Sequence, residues 1–142
     1  SSDLGFAPFN KPVAKLFLGD VGSLPIGLIV GYALYRFGAS TTLLPALVLA
    51  LYPLAAASIT LVMRLKRGEK VWQAHRSHFY QRATTNGHSV MDVVIHVARS
   101  GFVFAAASLS MALMPNPATI IIMSVVAIMT ITSVLRRFAT PV

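Results

Sequence analysis

The sequence predicts an all-α fold: a polytopic transmembrane helical bundle of four spans with both termini cytoplasmic. Three observations carry that prediction. The 142 residues are 56% hydrophobic and 11% charged, with a mean hydropathy of +0.72, whereas a soluble domain carries about 25% charged residues. The apolar residues gather into long runs. The basic residues sit in the short connections between those runs. A net charge of +8 would also suit a nucleic-acid binder, but its distribution is the positive-inside pattern and not a groove-tracking patch, so no nucleic-acid partner is expected.

The elements follow in order. Residues 1–20 read as an amphipathic cytoplasmic loop at the membrane surface, with Gly5, Pro8, Asn10 and Pro12 breaking any helix and Lys11 and Lys15 toward water. The first span, 21–37, is near the short limit for crossing a bilayer. A turn at 38–40 leads to a second span, 41–63, in which Pro45 is tolerable in the first turns and Pro53 predicts a kink. Residues 64–89 form the one strongly polar loop, with Arg64, Lys66, Arg67, Lys70, Arg76 and Arg82 beside His75, His78 and His88. A third span, 90–114, opens with Ser89 and Asp92 at capping-box spacing. Pro115-Asn116-Pro117 turns the chain into a fourth span, 118–135, closed by Arg136-Arg137.

Charge then sets the orientation. The 1–20 segment, the 64–89 loop and the Arg136-Arg137 tail fall on one side, because two spans separate each from the next. The other side holds only Arg36 and the uncharged Pro115–Pro117 turn. The basic side is cytoplasmic by the positive-inside bias. With no cysteine in the chain, disulfides and thiolate zinc sites are excluded. The chain opens Ser1-Ser2-Asp3 without a basic stretch and apolar core, so no signal peptide is expected.

Two segments could do chemistry. In Gly19-Asp20-Val21-Gly22-Ser23-Leu24 an aspartate sits between glycines where a cytoplasmic loop becomes a helix. Glycines let the backbone approach a ligand. A helix N-terminus offers N–H groups to phosphate oxygens. Magnesium needs one or two carboxylates plus substrate oxygens. A plain helix cap at Asp20 explains the same pattern. In His75-Arg76-Ser77-His78, two histidines three apart share a helical face beside arginine. They suit a diphosphate, while a positive-inside loop anchored by Trp72 and Tyr80 is the plainer account. Asp92, His96 and Arg99 form a polar stripe on the third span, which a functional site or internal pairing would both satisfy, and pairing of Asp92 with Arg99 is the preferred reading. Gly27 and Gly31 read as a helix-packing GxxxG.

Both motifs resemble those of the polyprenyl-phosphate N-acetylhexosamine-1-phosphate transferases, glycosyltransferase family 4 of the membrane phosphosugar transferases. The likeness lies in Asn10 to Phe17 leading into Gly19-Asp20-Val21-Gly22-Ser23-Leu24, and in His75-Arg76-Ser77-His78-Phe79-Tyr80-Gln81-Arg82. The second motif is closer to the branch that initiates lipopolysaccharide and O-antigen than to the phospho-N-acetylmuramoyl-pentapeptide translocase. The resemblance implies transfer of N-acetylhexosamine 1-phosphate from a UDP-sugar to undecaprenyl phosphate with release of UMP. UDP-N-acetylglucosamine is the default donor. It implies Mg2+ as cofactor, Asp20 as catalytic residue and metal ligand, and substrate contacts from His75, Arg76, His78, Asn10, Gly22 and Ser23. It also implies a multi-pass protein of the bacterial inner membrane with a cytoplasmic active face, working in cell-envelope glycan synthesis.

The chain departs from the family in three ways. Family members have about ten or more spans, and an aspartate pair on an earlier cytoplasmic loop has no counterpart here. An acidic residue common before the basic loop is replaced by Ala55-Ala56-Ala57-Ser58. Residues 1–142 therefore read as the C-terminal part of one integral membrane domain, inactive alone, with the missing N-terminal helices as its partner. Pairing into a homodimer stays open. A transporter fragment or a non-catalytic membrane subunit are the competing readings. The first would place ionisable groups at mid-bilayer, and the second would need neither motif.

Overall fold

A computed structural model describes residues 19–68 and 83–140 of the chain. Asn10, His75, Arg76 and His78 lie outside the described residues. The helices that lie wholly among the described residues are α1 (Gly19–Ser40), α2 (Leu43–Leu49), α3 (Leu51–Lys66), α4 (Val90–Leu113) and α5 (Pro117–Ala139). No strand occurs among the described residues, and the all-α class is as expected. The chain divides into two compact units, Ser1–Arg36 and Phe37–Val142.

In the first unit α1 carries an apolar sequence with no charged residue between Asp20 and Arg36. It is long and apolar enough to span a bilayer, as are α4 and α5. Its end differs from the expected turn at 38–40. The helix runs on to Ser40 because hydroxyls take over its last carbonyls: Ser40 Oγ and Thr41 Oγ1 both donate to the Phe37 carbonyl, at 3.0 and 2.8 Å. Such local bonds satisfy the open acceptors of a helix end.

The second expected span is two helices bent by 74°. The break falls at Ala50, three residues before Pro53. Proline lacks the N–H that would bond the Leu49 carbonyl, and its ring crowds that carbonyl, so the helix stops there and restarts. The pair counts as one broken span or as a re-entrant loop.

The second unit is built on α4, which packs along α5 and against α2. Val48, Phe104, Ala107, Met111, Ala127 and Ile131 form one buried cluster. Ala56, Ala83, Val93, Val134 and Phe138 form another toward the far end. Small residues at these contacts let backbones approach, the usual device where lipid removes the hydrophobic drive between helices. Ser108 Oγ adds a buried bond of 2.8 Å to the Pro45 carbonyl, which ties α4 to α2. Thr60 and Thr130 instead donate to carbonyls four residues back in their own helices.

The caps match the sequence. Ser89 precedes α4 and accepts from the Asp92 N–H at 3.1 Å, while its hydroxyl donates to Asp92 Oδ2 at 2.7 Å. Asn116 precedes α5 and accepts from the Thr119 N–H at 2.9 Å, with Pro117 opening the helix. The last turn of α5 holds Arg136 and Arg137, cations where the helix dipole favours them.

Candidate functional site

α1 begins at Gly19, whose φ of +59° lies in the left-handed region. A side chain there would be strained, so glycine suits the entry into the helix. That entry puts Asp20 in the first turn of the helix, next to backbone N–H groups with no intrahelical acceptor. Gly22 is half-buried and Ser23 exposed one residue on. Asp20, Ser23 and backbone N–H groups without intrahelical acceptors thus belong to one helix end. Within this unit, a Cβ at Gly27 or Gly31 would meet no neighbouring atom.

The basic loop is anchored at both ends in the second unit. At its start α3 runs past the expected boundary, to Lys66. Arg64 is therefore not a loop residue: it lies in the last turn of α3 and is 5% exposed. Gly68, with φ +70°, ends the helix and donates to the Leu65 carbonyl at 3.0 Å. At the loop's exit, residues 83–85 make a helical turn. Gly87 at φ +96° closes it, donating to the Thr84 carbonyl while the His88 N–H bonds Ala83. This is the paired 5→2 and 6→1 arrangement of a Schellman cap.

That exit is fastened to α5. Asn86 Nδ2 donates to the Phe138 carbonyl at 2.9 Å, and His88 Nε2 to the Arg137 carbonyl at 3.1 Å. Both carbonyls belong to the open C-terminal turn of α5. The Phe138 ring is buried and met edge-on by His88 and His96, with centroids 6.2 and 6.4 Å away. The loop exit and Arg136-Arg137 thus stand at the same end of the bundle, as the charge pattern predicts. Sequence reasoning passed over Asn86 and His88 as anchors. The Asn-Gly dipeptide at 86–87 was the available signal for a turn.

One expectation is corrected. Asp92 does not pair with Arg99 among the described residues. Its carboxylate takes the Ser89 hydroxyl, and the N-cap geometry holds it there. His96 Nδ1 donates to the Asp92 backbone carbonyl at 2.7 Å. Arg99 instead lines a groove between α4 and α5.

Asp20, Gly22 and Ser23 belong to the first unit, and both ends of the basic loop to the second. No group of three or more metal-ligating side chains is assembled among the described residues.

Comparison with known proteins accords with the two motifs. Residues 1–38 match the family model of glycosyl transferase family 4. The chain is 34% identical over 93 residues to a phospho-N-acetylmuramoyl-pentapeptide-transferase of Corynebacterium diphtheriae, covering 65% of this chain and 25% of the relative. It is 27% identical over 109 residues to a decaprenyl-phosphate N-acetylglucosaminephosphotransferase of Mycobacterium leprae, covering 66% and 27%. It is 27% identical over 114 residues to a probable undecaprenyl-phosphate N-acetylglucosaminyl 1-phosphate transferase of Bacillus subtilis, covering 77% and 32%. No solved structure matches significantly. The resemblance read from the motifs is borne out: the chain is related to the polyprenyl-phosphate sugar-phosphate transferases. It spans about a quarter to a third of the length of these curated relatives.

Proposed function

We propose that the chain is part of an enzyme that transfers N-acetylhexosamine 1-phosphate from a UDP-sugar to undecaprenyl phosphate. In this reaction an oxygen of the lipid phosphate attacks the β-phosphorus of the UDP-sugar. The bond from that phosphorus to the bridging oxygen breaks, and UMP leaves. The active face is the cytoplasmic side of the bacterial inner membrane, and the product starts a cell-envelope glycan. The observation that carries this reading is the family match over residues 1–38, which contain Asn10, Asp20, Gly22 and Ser23.

Both substrates are anionic, so their approach needs positive charge and fixed donors. Magnesium, when bound, offsets the charge of the phosphates. Asp20 fits it, because magnesium keeps few protein ligands and takes the rest from substrate and water. The α1 N-terminus presents N–H groups to phosphate oxygens beside it. Gly22 leaves room for that approach, and the Ser23 hydroxyl can donate. Asn10 extends the substrate contacts of this segment. His75, Arg76 and His78 bind the UDP-sugar, with Arg76 on the diphosphate in the bidentate manner of guanidinium groups. Asn86 and His88 hold the exit of that loop against α5.

The test is UMP release by the complete membrane enzyme carrying this chain, with magnesium, UDP-N-acetylglucosamine and undecaprenyl phosphate. Release should require both substrates and stop when magnesium is chelated. UMP formed equally without the lipid phosphate, or no product with any UDP-N-acetylhexosamine, would overturn the assignment. The 142-residue chain alone should release none.

A further inference from the structure

The face shared by α4 and α5 carries positive charge that the described residues leave unmatched. Arg99 stands roughly 13 Å along the helix axis from Val90, at 1.5 Å per residue. It has no ion pair or hydrogen bond among the described residues, since the carboxylate of Asp92 is taken by Ser89. A guanidinium so placed within a span is costly unless an anion meets it.

A groove opens at this position. It has a volume of about 340 Å³ and is lined by His96, Arg99 and Ser133, with Val103 and Met129 as apolar walls. An adjoining groove of about 420 Å³ shares Ser133 and Met129 and continues to Arg136, in the last turn of α5. Met129 is 67% exposed, so the apolar wall faces outward. The two grooves form one track, with a cation near the helix end, a second cation deeper, a hydroxyl between them, and apolar surface alongside.

We propose that this track binds an anionic phospholipid by its phosphodiester. The phosphate lies between Arg136 and Arg99, whose long side chain can reach back toward the interface. Guanidinium forks match phosphate oxygens in pairs. Ser133 adds a donor, and the acyl chains follow Val103 and Met129. The charge complementarity decides the occupant. Among the described residues the track holds two arginines and no carboxylate, a charge that a lipid anion complements, and basic clefts between spans are suited to such headgroups. This assignment stands apart from the proposed reaction, because it uses no residue placed in that site.

The test is thermal unfolding and native mass spectrometry of the purified protein, titrated with phosphatidylglycerol, phosphatidylcholine, inorganic phosphate or undecaprenyl phosphate. Phosphatidylglycerol should bind saturably and raise Tm, and the other three should not displace it. Arg99→Gln should weaken that binding roughly fivefold, as expected for one basic residue at a membrane surface. Ser133→Leu, which fills the groove and keeps both arginines, should weaken it as well and guards against misfolding of the arginine variant. Equal binding of phosphatidylcholine, displacement by inorganic or undecaprenyl phosphate, or full phosphatidylglycerol binding in both variants would overturn the proposal. So would bound-state cross-links showing a protein carboxylate on Arg99.

Discussion

Asp20 carries the most weight of any single residue, and its two roles separate by substitution. Asn keeps the shape and loses the charge, so a residue that only eases the first turn of α1 would tolerate Asp20→Asn at a cost of about 1 kcal/mol or less. A magnesium ligand would not. The variant should lose UMP release by at least about a hundredfold, since each factor of ten costs only about 1.4 kcal/mol of transition-state stabilisation, while its Tm stays close to the parent's. Activity near the parent's would leave only a role in the first turn of the helix. Gly87 makes a different kind of prediction. Its φ of +96° closes the turn that fastens the basic loop to α5. Gly87→Ala should lower stability by about 1–2 kcal/mol, the usual cost of a left-handed conformation for a residue with a Cβ, as read by thermal unfolding.

At the scale of elements, the bend between α2 and α3 is the feature that most shapes the bundle. Its cause is local, the missing donor and the ring of Pro53. Pro53→Ala restores the bond to the Leu49 carbonyl and should partly straighten the pair. Spin labels on the two arms, at Leu44 and Val62, should then sit farther apart than in the parent. An unchanged distance would mean that packing against α4, and not proline, sets the 74° angle. The Ser108 bond to the Pro45 carbonyl belongs to that packing. Ser108→Ala should cost about 0.6–1.7 kcal/mol, in the range measured for hydrogen bonds between membrane helices. Much of this scale was legible in the sequence. The caps at Ser89 and Asn116 and the positions of the long apolar runs were readable because they depend on neighbours in the chain. The exact break at Ala50 needed the rule that proline acts on the residue four before it. The Asn86–Phe138 bond joins residues far apart in sequence, and no local pattern encodes it. The Asp92–Arg99 reading failed for the same reason in reverse: correct helical spacing was outcompeted by a shorter bond to Ser89.

For the whole molecule, the proposed reaction requires that the segment leading to Asp20 and the loop bearing His75, Arg76 and His78 work on one side of the membrane. Composition and motifs made the membrane class and the family legible. They could not say whether residues 43–66 cross the bilayer, because length and hydropathy are satisfied by a broken span and by a re-entrant loop alike. The difference decides the function. One crossing by α1 and one by the bent pair return the chain to the starting side, whereas a re-entrant loop leaves the two motifs on opposite sides. The chain has no cysteine, so single cysteines can report on sidedness without background. The most direct measurement is labelling of Lys11→Cys and Thr84→Cys with a membrane-impermeant maleimide, in intact cells and in inverted membrane vesicles. Both should label only in the inverted vesicles, together with Thr140→Cys, and Asn116→Cys should label only in intact cells. Labelling of Lys11→Cys and Thr84→Cys from opposite sides would contradict the proposed reaction, because the two motifs could then not share a substrate.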